Sequence, residues 1–461
     1  MAVFRCEVCD YLYDEDKEAV KWQDLPGHWV CPVCESPKSY YVKADQRAAA
    51  TAAEVISPEL FRQSDDLEIY MADIHEMART GESIIEPMRT KAPVFSWDDI
   101  LIKGAQLATL PLNKDDAVNT QTVIGVNAAR PLVLESPLYV THMSYGALSE
   151  EVKIALAQGS AAAKTATCSG EGGLLPEAFE AAYKYIFEYV PNKYSATEEN
   201  LKRVDAIEIK FGQSAKPGMG GHLPGRKVTS EIAAIRGFPK GTDIISPAHF
   251  PDITTREELQ KTVARLRDVS EGRPIGIKVA AGNIEADLEV ALFSEPDFIT
   301  IDGRAGATGA APKFVKMATS VPTMFALYRA RKFLDTRKAD GVALLITGGL
   351  RISPDFAKAL ALGADGIALG TSALMACGCQ QYRICHTGKC PMGITTQDPS
   401  LRARFDIEAA ATRLENYIRV STKELMDFAR LTGNADVHNL TVNDLCTTNS
   451  EISQYIGIAH V

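Results

Sequence analysis

The chain has 461 residues, 46% apolar and 23% charged, with a net charge of −10. It is too long for one ordinary core, and its composition is that of a globular protein, which argues against a disordered chain. Both signs are mixed and no basic run occurs, which argues against a nucleic-acid-binding surface. The first residues, MAVFRCEVCDYLYDEDKE, lack a basic stretch followed by an apolar one, so they do not read as a secretory signal. No apolar run reaches membrane-spanning length, so a cytoplasmic protein without membrane contact is expected. Of the ten cysteines, the paired and clustered ones are better metal ligands than disulfide partners in such a chain.

In chain order, residues 1–44 form the first expected unit. Cys6-x2-Cys9 and Cys31-x2-Cys34 place two knuckles around one tetrahedral site. Zinc and iron share this spacing, so spacing alone leaves both metals open. Tyr11, Tyr13, Trp22, Leu25, Pro26, Trp29, Pro32 and Tyr41 surround the cysteines. With the run Leu25-Pro26-Gly27-His28-Trp29-Val30-Cys31-Pro32-Val33-Cys34, the segment resembles rubredoxin. The resemblance implies a mononuclear iron, with zinc as the alternative. Rubredoxins carry glycine after the second cysteine of each knuckle, where this chain has Asp10 and Glu35.

Residues 45–64 read as a linker, with a small-residue stretch at 46–54. The second expected unit covers 65–461. Strands are expected at 137–143, 163–168, 204–211, 242–247, 274–280, 297–303, 341–349 and 365–370, alternating with helical spacers. Eight parallel βα units predict an α/β fold, a (β/α)8 barrel, with an open doubly wound sheet as the alternative. Residues 401–461 predict a helical tail.

Barrel chemistry sits at the strand C-termini. The expected ends carry Met143 and Ser144, then Lys210 with Gln213 and Lys216, then Lys278, Arg304, Gly348 and Gly349, and finally Gly370 and Thr371. Glycines after the last two strands let backbone N–H groups approach a phosphate closely. Lys278, after an apolar strand, can stabilise a reduced flavin, or it can be a salt-bridged mouth lysine.

The segments MSYGAL, SGEGG, KFGQSAKPGMGGHLPG, DIISPAHFPDI, IKV, ATGAAP, TGGL and LGTSAL follow one another in an order that resembles the FMN-binding synthase domain of glutamate synthase. That resemblance implies FMN at the loops carrying Met143, Ser144, Lys278, Gly348, Gly349, Gly370 and Thr371, with 2-oxoglutarate over its ring. Cys379-x5-Cys385-x4-Cys390 matches the family's [3Fe–4S] segment, here 377–399. Cys377 is expected to be a spare buried thiol, the alternative being a fourth ligand of a [4Fe–4S] cluster. Cys168 and Cys446 read as core residues.

The implied reaction is reductive amination of 2-oxoglutarate by ammonia to L-glutamate. Lys216, Gln213, Arg304 and Lys210 are candidates for orienting the dicarboxylate, since it needs cationic or amide donors. Electrons are expected to pass from the N-terminal iron through the cluster to FMN. The family's large members begin with a glutaminase whose nucleophile is an N-terminal cysteine, whereas residue 2 here is Ala. Free ammonia or a separate glutaminase subunit is therefore expected, with a ferredoxin or an NAD(P)H-dependent reductase as electron donor and an oligomeric assembly. Met219 stands where the family has a carboxylate, and the GGTG loop is altered at Ala305-Gly306-Ala307-Thr308-Gly309. The alternatives are a flavoenzyme for another amino acid or N-substituted amine, and a non-catalytic electron-transfer subunit.

Overall fold

A computed structural model of the chain describes residues 2–44, 62 and 64–461. The expected linker at 45–64 lies outside the described residues except at 62 and 64. Two compact units form, Met1–Glu82 and Ser83–Val461. No helix among the described residues is long and apolar enough to cross a membrane.

In the first unit, β1 (Val3–Cys6) lies between β2 (Leu12–Asp14) and β3 (Tyr41–Lys43), antiparallel to both. Trp22 stacks on Phe4 at 4.4 Å and meets Tyr13, Trp29 and Tyr41 at 5.5 Å or less. So small a unit has room for little else, and its four cysteines complete the minicore. Asp10 and Glu35 both take the left-handed conformation, at φ 60°. Their amides close the knuckles onto Cys6 O at 3.0 Å and Cys31 O at 2.8 Å. The backbone that glycine adopts freely is thus kept by two side-chain-bearing residues, at a cost of roughly 1 kcal/mol each.

The second unit is built on eight parallel strands. They are β4 (Leu138–Val140), β5 (Ala166–Cys168), β6 (Lys184–Tyr189), β7 (Ala206–Lys210), β8 (Ile275–Ala280), β9 (Phe298–Asp302), β10 (Ala343–Thr347) and β11 (Gly366–Leu369). From β5 onward each strand pairs with the next, and β11 returns to β4, so the one unpaired junction lies between β4 and β5. The remaining seam is bridged by Thr165 Oγ1 donating to Leu138 O at 2.5 Å, giving a nearly closed (β/α)8 barrel. Two strand assignments are corrected. The segment at 242–247 is no barrel strand: Ile244–Ile245 pairs antiparallel with His222–Leu223 in the excursion after β7. The third barrel strand is β6, preceded by a helix of only five residues, Pro176–Glu180.

Inside the barrel, Tyr139, Cys168, Ile186, Phe298 and Leu345 pack with the hairpin of Thr122–Ile124 and Leu132–Leu134. The inward residues nearer the strand C-termini are polar, which concentrates charge there. The tail contains the 26-residue helix Ile407–Thr432, which packs on the helix Glu150–Ala162. Beyond it, Leu445–Thr447 pairs with Ile100–Ile102 and with Ala459–His460.

Lys153 on the helix Glu150–Ala162 clamps two strand-end loops. It is buried, and its ammonium donates to Met143 O at 2.9 Å, Cys168 O at 2.7 Å and Ser169 O at 3.0 Å. Burial pulls its pKa down to about 8, which leaves it charged at neutral pH. Lys153→Met strands three carbonyls without their donor. It is expected to cost about 1–3 kcal/mol per carbonyl left unsatisfied, read as an earlier unfolding midpoint in urea.

Candidate active site and metal centres

The four N-terminal sulfurs lie within 4.8 Å of one another, with Cys6–Cys34 at 3.7 Å and Cys9–Cys31 at 3.6 Å. Amides of Val8 and Cys9 point at Cys6 sulfur, and those of Val33 and Cys34 at Cys31 sulfur. This is a preorganised tetrathiolate site with N–H donors around it.

In the barrel unit a cavity of about 880 Å³ opens over the strand C-termini. Its size suits a cofactor together with a small substrate. Met143, Ser144, Gly348, Gly349, Gly370, Thr371, Lys278, Gln213 and Lys216 all line it. Gly348 and Gly349 have φ of 112° and 92°, conformations closed to other residues. A Cβ at Gly349 would lie 2.3 Å from the Ala305 Cβ.

The floor is charged. Register places Glu188 of β6 beside Glu208 of β7, and Lys210 of β7 beside Lys278 of β8. His142 Nδ1 accepts from Gly170 N at 3.2 Å, so Nε2 carries the proton and faces Glu208 Oε2 at 3.1 Å. Thr300 donates to the same glutamate. His142, Glu188 and Glu208 are grouped as closely as cation ligands, within 4.8 Å. The Lys278 ammonium, 4.0 Å from Glu208, supplies positive charge there. Burial opposes that charge most strongly, yet Glu208, Glu188 and Asp302 outweigh it and hold Lys278 above the usual lysine value. Burial, reinforced by Glu208 and Glu188, raises the Asp302 pKa against the opposing pull of Lys278.

A second wall carries Glu171, which accepts from Lys210 and from Ser246. Burial raises the Glu171 pKa, but Lys210 dominates in sum and leaves it at about 2. The glycines of the KPG-x-GG segment let the loop close here. A Cβ at Gly221 would sit 2.4 Å from Glu171 Oε1, and one at Gly220 2.0 Å from Ser246 O. Lys216 is buried, donates to Gly220 O at 3.0 Å, and is lowered to about 8 by burial against the pull of Glu171. Arg236 lines the same cavity and donates to Tyr145 O at 2.7 Å, while its Nε has no partner among the described residues.

The expected site residues do not all converge. Lys210 lies behind the wall, between Glu171 and Gln213. Arg304 is turned away, donating to Met317 O at 2.5 Å and Thr319 O at 3.1 Å, and does not line the cavity. Arg236, Glu188 and Glu208 were absent from the expected set. Glu188 went unseen with its strand, and Arg236 carries no motif of its own.

Cys379, Cys385 and Cys390 line a third wall. Among the described residues they are less tightly gathered than the four N-terminal sulfurs. Gln381 Nε2 donates to Cys379 Sγ at 3.1 Å. Gln381 and Arg383 hold left-handed backbone, at φ 56° and 58°, strain typical of a functional loop. His386 Nδ1 is buried without a hydrogen-bond partner among the described residues, and the Thr395 hydroxyl lies against Cys385. The donor set therefore fits an anionic iron–sulfur group. Cys377 is buried off the cavity, donating to Ala410 O at 3.8 Å.

A family model described as the conserved region in glutamate synthase matches residues 95–435, and a rubredoxin model matches 3–41. The chain belongs to the glutamate synthase family. Among relatives of this family, a glutamate synthase large subunit-like protein of Rhizobium meliloti is 36% identical over 411 residues, 85% of this chain and 93% of that one. An archaeal-type glutamate synthase (NADPH) of Dehalococcoides mccartyi is 33% identical over 472 residues, 96% and 91% of the two chains. An archaeal glutamate synthase (NADPH) of Methanocaldococcus jannaschii is 38% identical over 315 residues, 68% and 62%. The glutamate synthase relationship makes this chain an oxidoreductase of that type, with a rubredoxin domain ahead of the synthase barrel.

Proposed function

We propose that the chain makes L-glutamate by reductive amination of 2-oxoglutarate with ammonia, using FMN in the barrel cavity. The observation that carries this reading is one cavity with three distinct walls: a glycine wall, a charged floor and wall, and a three-cysteine wall. Gly348, Gly349, Gly370 and Thr371 would hold the FMN phosphate, and Met143 and Ser144 would border its ring. When bound, FMN supplies a hydride to the imine carbon of 2-iminoglutarate. Lys278, kept ionised by Glu208 and Glu188, would supply positive charge to a flavin bound in the cavity. Gln213, Lys216 and Arg236 hold the dicarboxylate, with Arg236 in the place first expected of Arg304. Glu171, ionised and tied to Lys210, stands beside Lys216 and keeps the wall polar toward ammonia and the imine.

Cys6, Cys9, Cys31 and Cys34 would hold the iron at which electrons enter, and Cys379, Cys385 and Cys390 would hold a [3Fe–4S] cluster able to pass them on toward the flavin. Both centres carry single electrons, so two transfers supply one hydride. The relatives named for NADPH support a nicotinamide-dependent reductase as the donor upstream. Ammonia arrives free or from a separate glutaminase-like subunit.

The test is composition followed by turnover. The purified protein is expected to hold FMN, one mononuclear iron and one three-iron cluster, and to form glutamate from ammonia and 2-oxoglutarate with reduced viologen. Zinc at the first site would remove the proposed electron entry. Turnover of other amines without glutamate formation would move the substrate assignment.

Lys216 gives this reading a pH signature. A lysine with a pKa of about 8 binds carboxylate while protonated and loses that charge above it. The apparent affinity for 2-oxoglutarate is therefore expected to fall as pH rises through about 8. Lys216→Arg should move that fall to higher pH, because guanidinium stays charged. A flat profile between pH 7 and 9 would remove Lys216 from substrate binding.

A further inference from the structure

Lys227 ends the short turn Gly225–Lys227 and is buried. Its ammonium donates to Cys385 O at 2.7 Å. Its stem packs on the cysteine loop, where a Cβ at Gly388 would come within 3.0 Å of Lys227 Cε. The charged groups that act on it are Cys385, Cys390 and Arg226, with no carboxylate among them. Arg226 is itself directed at His386 O, at 2.9 Å. A buried ammonium without a counter-carboxylate is costly unless an anion faces it. Three other buried lysines of the barrel have a different solution. Lys210 has Glu171, Lys316 has Glu86, and Lys153 has three carbonyls.

We propose that Lys227 sets the reduction potential of an iron–sulfur cluster held by Cys379, Cys385 and Cys390. This rests on the reading of that loop as a cluster site. Three thiolates give such a cluster a net negative charge, and each added electron deepens it by one. A fixed ammonium stabilises the reduced form more than the oxidised form, so it raises the potential. The step is one electron onto the cluster, supplied by the N-terminal iron in turnover or by dithionite in a titration. Lys227 gives up no proton and serves as a fixed charge. A higher potential makes the cluster the better acceptor for electrons arriving from outside the barrel.

The experiment is a redox titration of the full-length holoprotein with dithionite, following the cluster by electron paramagnetic resonance. Wild type, Lys227→Arg, Lys227→Gln and Lys227→Met are compared, with iron and acid-labile sulfide counted in each. Removing one charge at cluster range, at an effective dielectric near 20, is expected to lower the equilibrium constant for cluster reduction roughly ten- to a hundredfold. At 59 mV per tenfold for one electron, the midpoint moves negative by about 59–118 mV. The Arg variant should stay near wild type, while Gln and Met both shift. Equal midpoints in Arg and Gln variants with full clusters overturn the proposal. Loss of the cluster from both Gln and Met, with Arg retaining it, also overturns it and makes Lys227 a clamp of the loop. Wild-type protein without acid-labile sulfide overturns the cluster reading itself, which is a different failure from an unmoved midpoint.

Discussion

Lys278→Met is expected to lower the rate of glutamate formation by roughly 10²–10³, the usual loss when one preorganised charge stabiliser is removed. Lys278 is buried on the cavity floor, and Glu208, Glu188 and Asp302 hold it ionised. Its charge favours a flavin that has gained electrons, so its loss should also make bound FMN harder to reduce. The substitution has a second effect that must be separated from the first. Without Lys278, the Glu208 carboxylate keeps His142 and Thr300 but loses the cation 4.0 Å away, and an uncompensated buried charge costs about 3–5 kcal/mol. The double variant Lys278→Met with Glu208→Gln removes both charges. It should recover much of the stability lost by Lys278→Met while turnover and flavin potential stay impaired. Recovery of turnover along with stability would mean that Lys278 only balances charge in the barrel mouth. A large effect on kcat with little on the KM for 2-oxoglutarate would place the loss in the hydride step, as the floor position implies.

Cys9→Ser is expected to slow flavin reduction by the physiological donor by roughly 10²–10⁴, the gain that covalent tethering gives an electron carrier. The four sulfurs are gathered within 4.8 Å, so the loss of one thiolate removes a quarter of the donor set of a single ion. The barrel cysteines and the cavity belong to the other compact unit, so cluster and FMN content should be unchanged. Chemically reduced protein should then form glutamate at the wild-type rate. Rapid mixing with the donor, followed at the flavin absorbance, makes the measurement. Unchanged reduction rates in the variant would mean that electrons bypass the N-terminal iron.

Much of this architecture was legible in the linear sequence, because its signals are local. Two residues between cysteines are enough to aim both sulfurs at one point, so Cys6-x2-Cys9 and Cys31-x2-Cys34 read as one site before any fold was known. Glycines at 348, 349 and 370 follow apolar strands directly, and the structure brings all three to one cavity. Seven of the eight barrel strands stood out as β-branched runs. The eighth, KYIFEY at 184–189, is broken by Lys and Glu and follows a helix too short to mark a βα unit. The stretch at 242–247 looked like the missing strand because isoleucine pairs favour extended backbone anywhere. In the fold it forms a two-residue pairing outside the barrel.

By itself, then, the sequence determined the metal-ligand spacing, the glycines that follow the last two strands, the barrel class and the family. These follow from covalent geometry and backbone conformation over a few residues. Only the tertiary structure decided which charged side chains meet. Arg304 and Arg236 are equally polar on paper, yet one binds helix-end carbonyls and the other lines the cavity. Glu188 and Glu208 face one another because parallel register sets them side by side, twenty residues apart in sequence. Lys227 reaches the cysteine loop across 158 residues. Side-chain direction, register and desolvation depend on partners remote in the chain, and those partners exist together only once the barrel has formed.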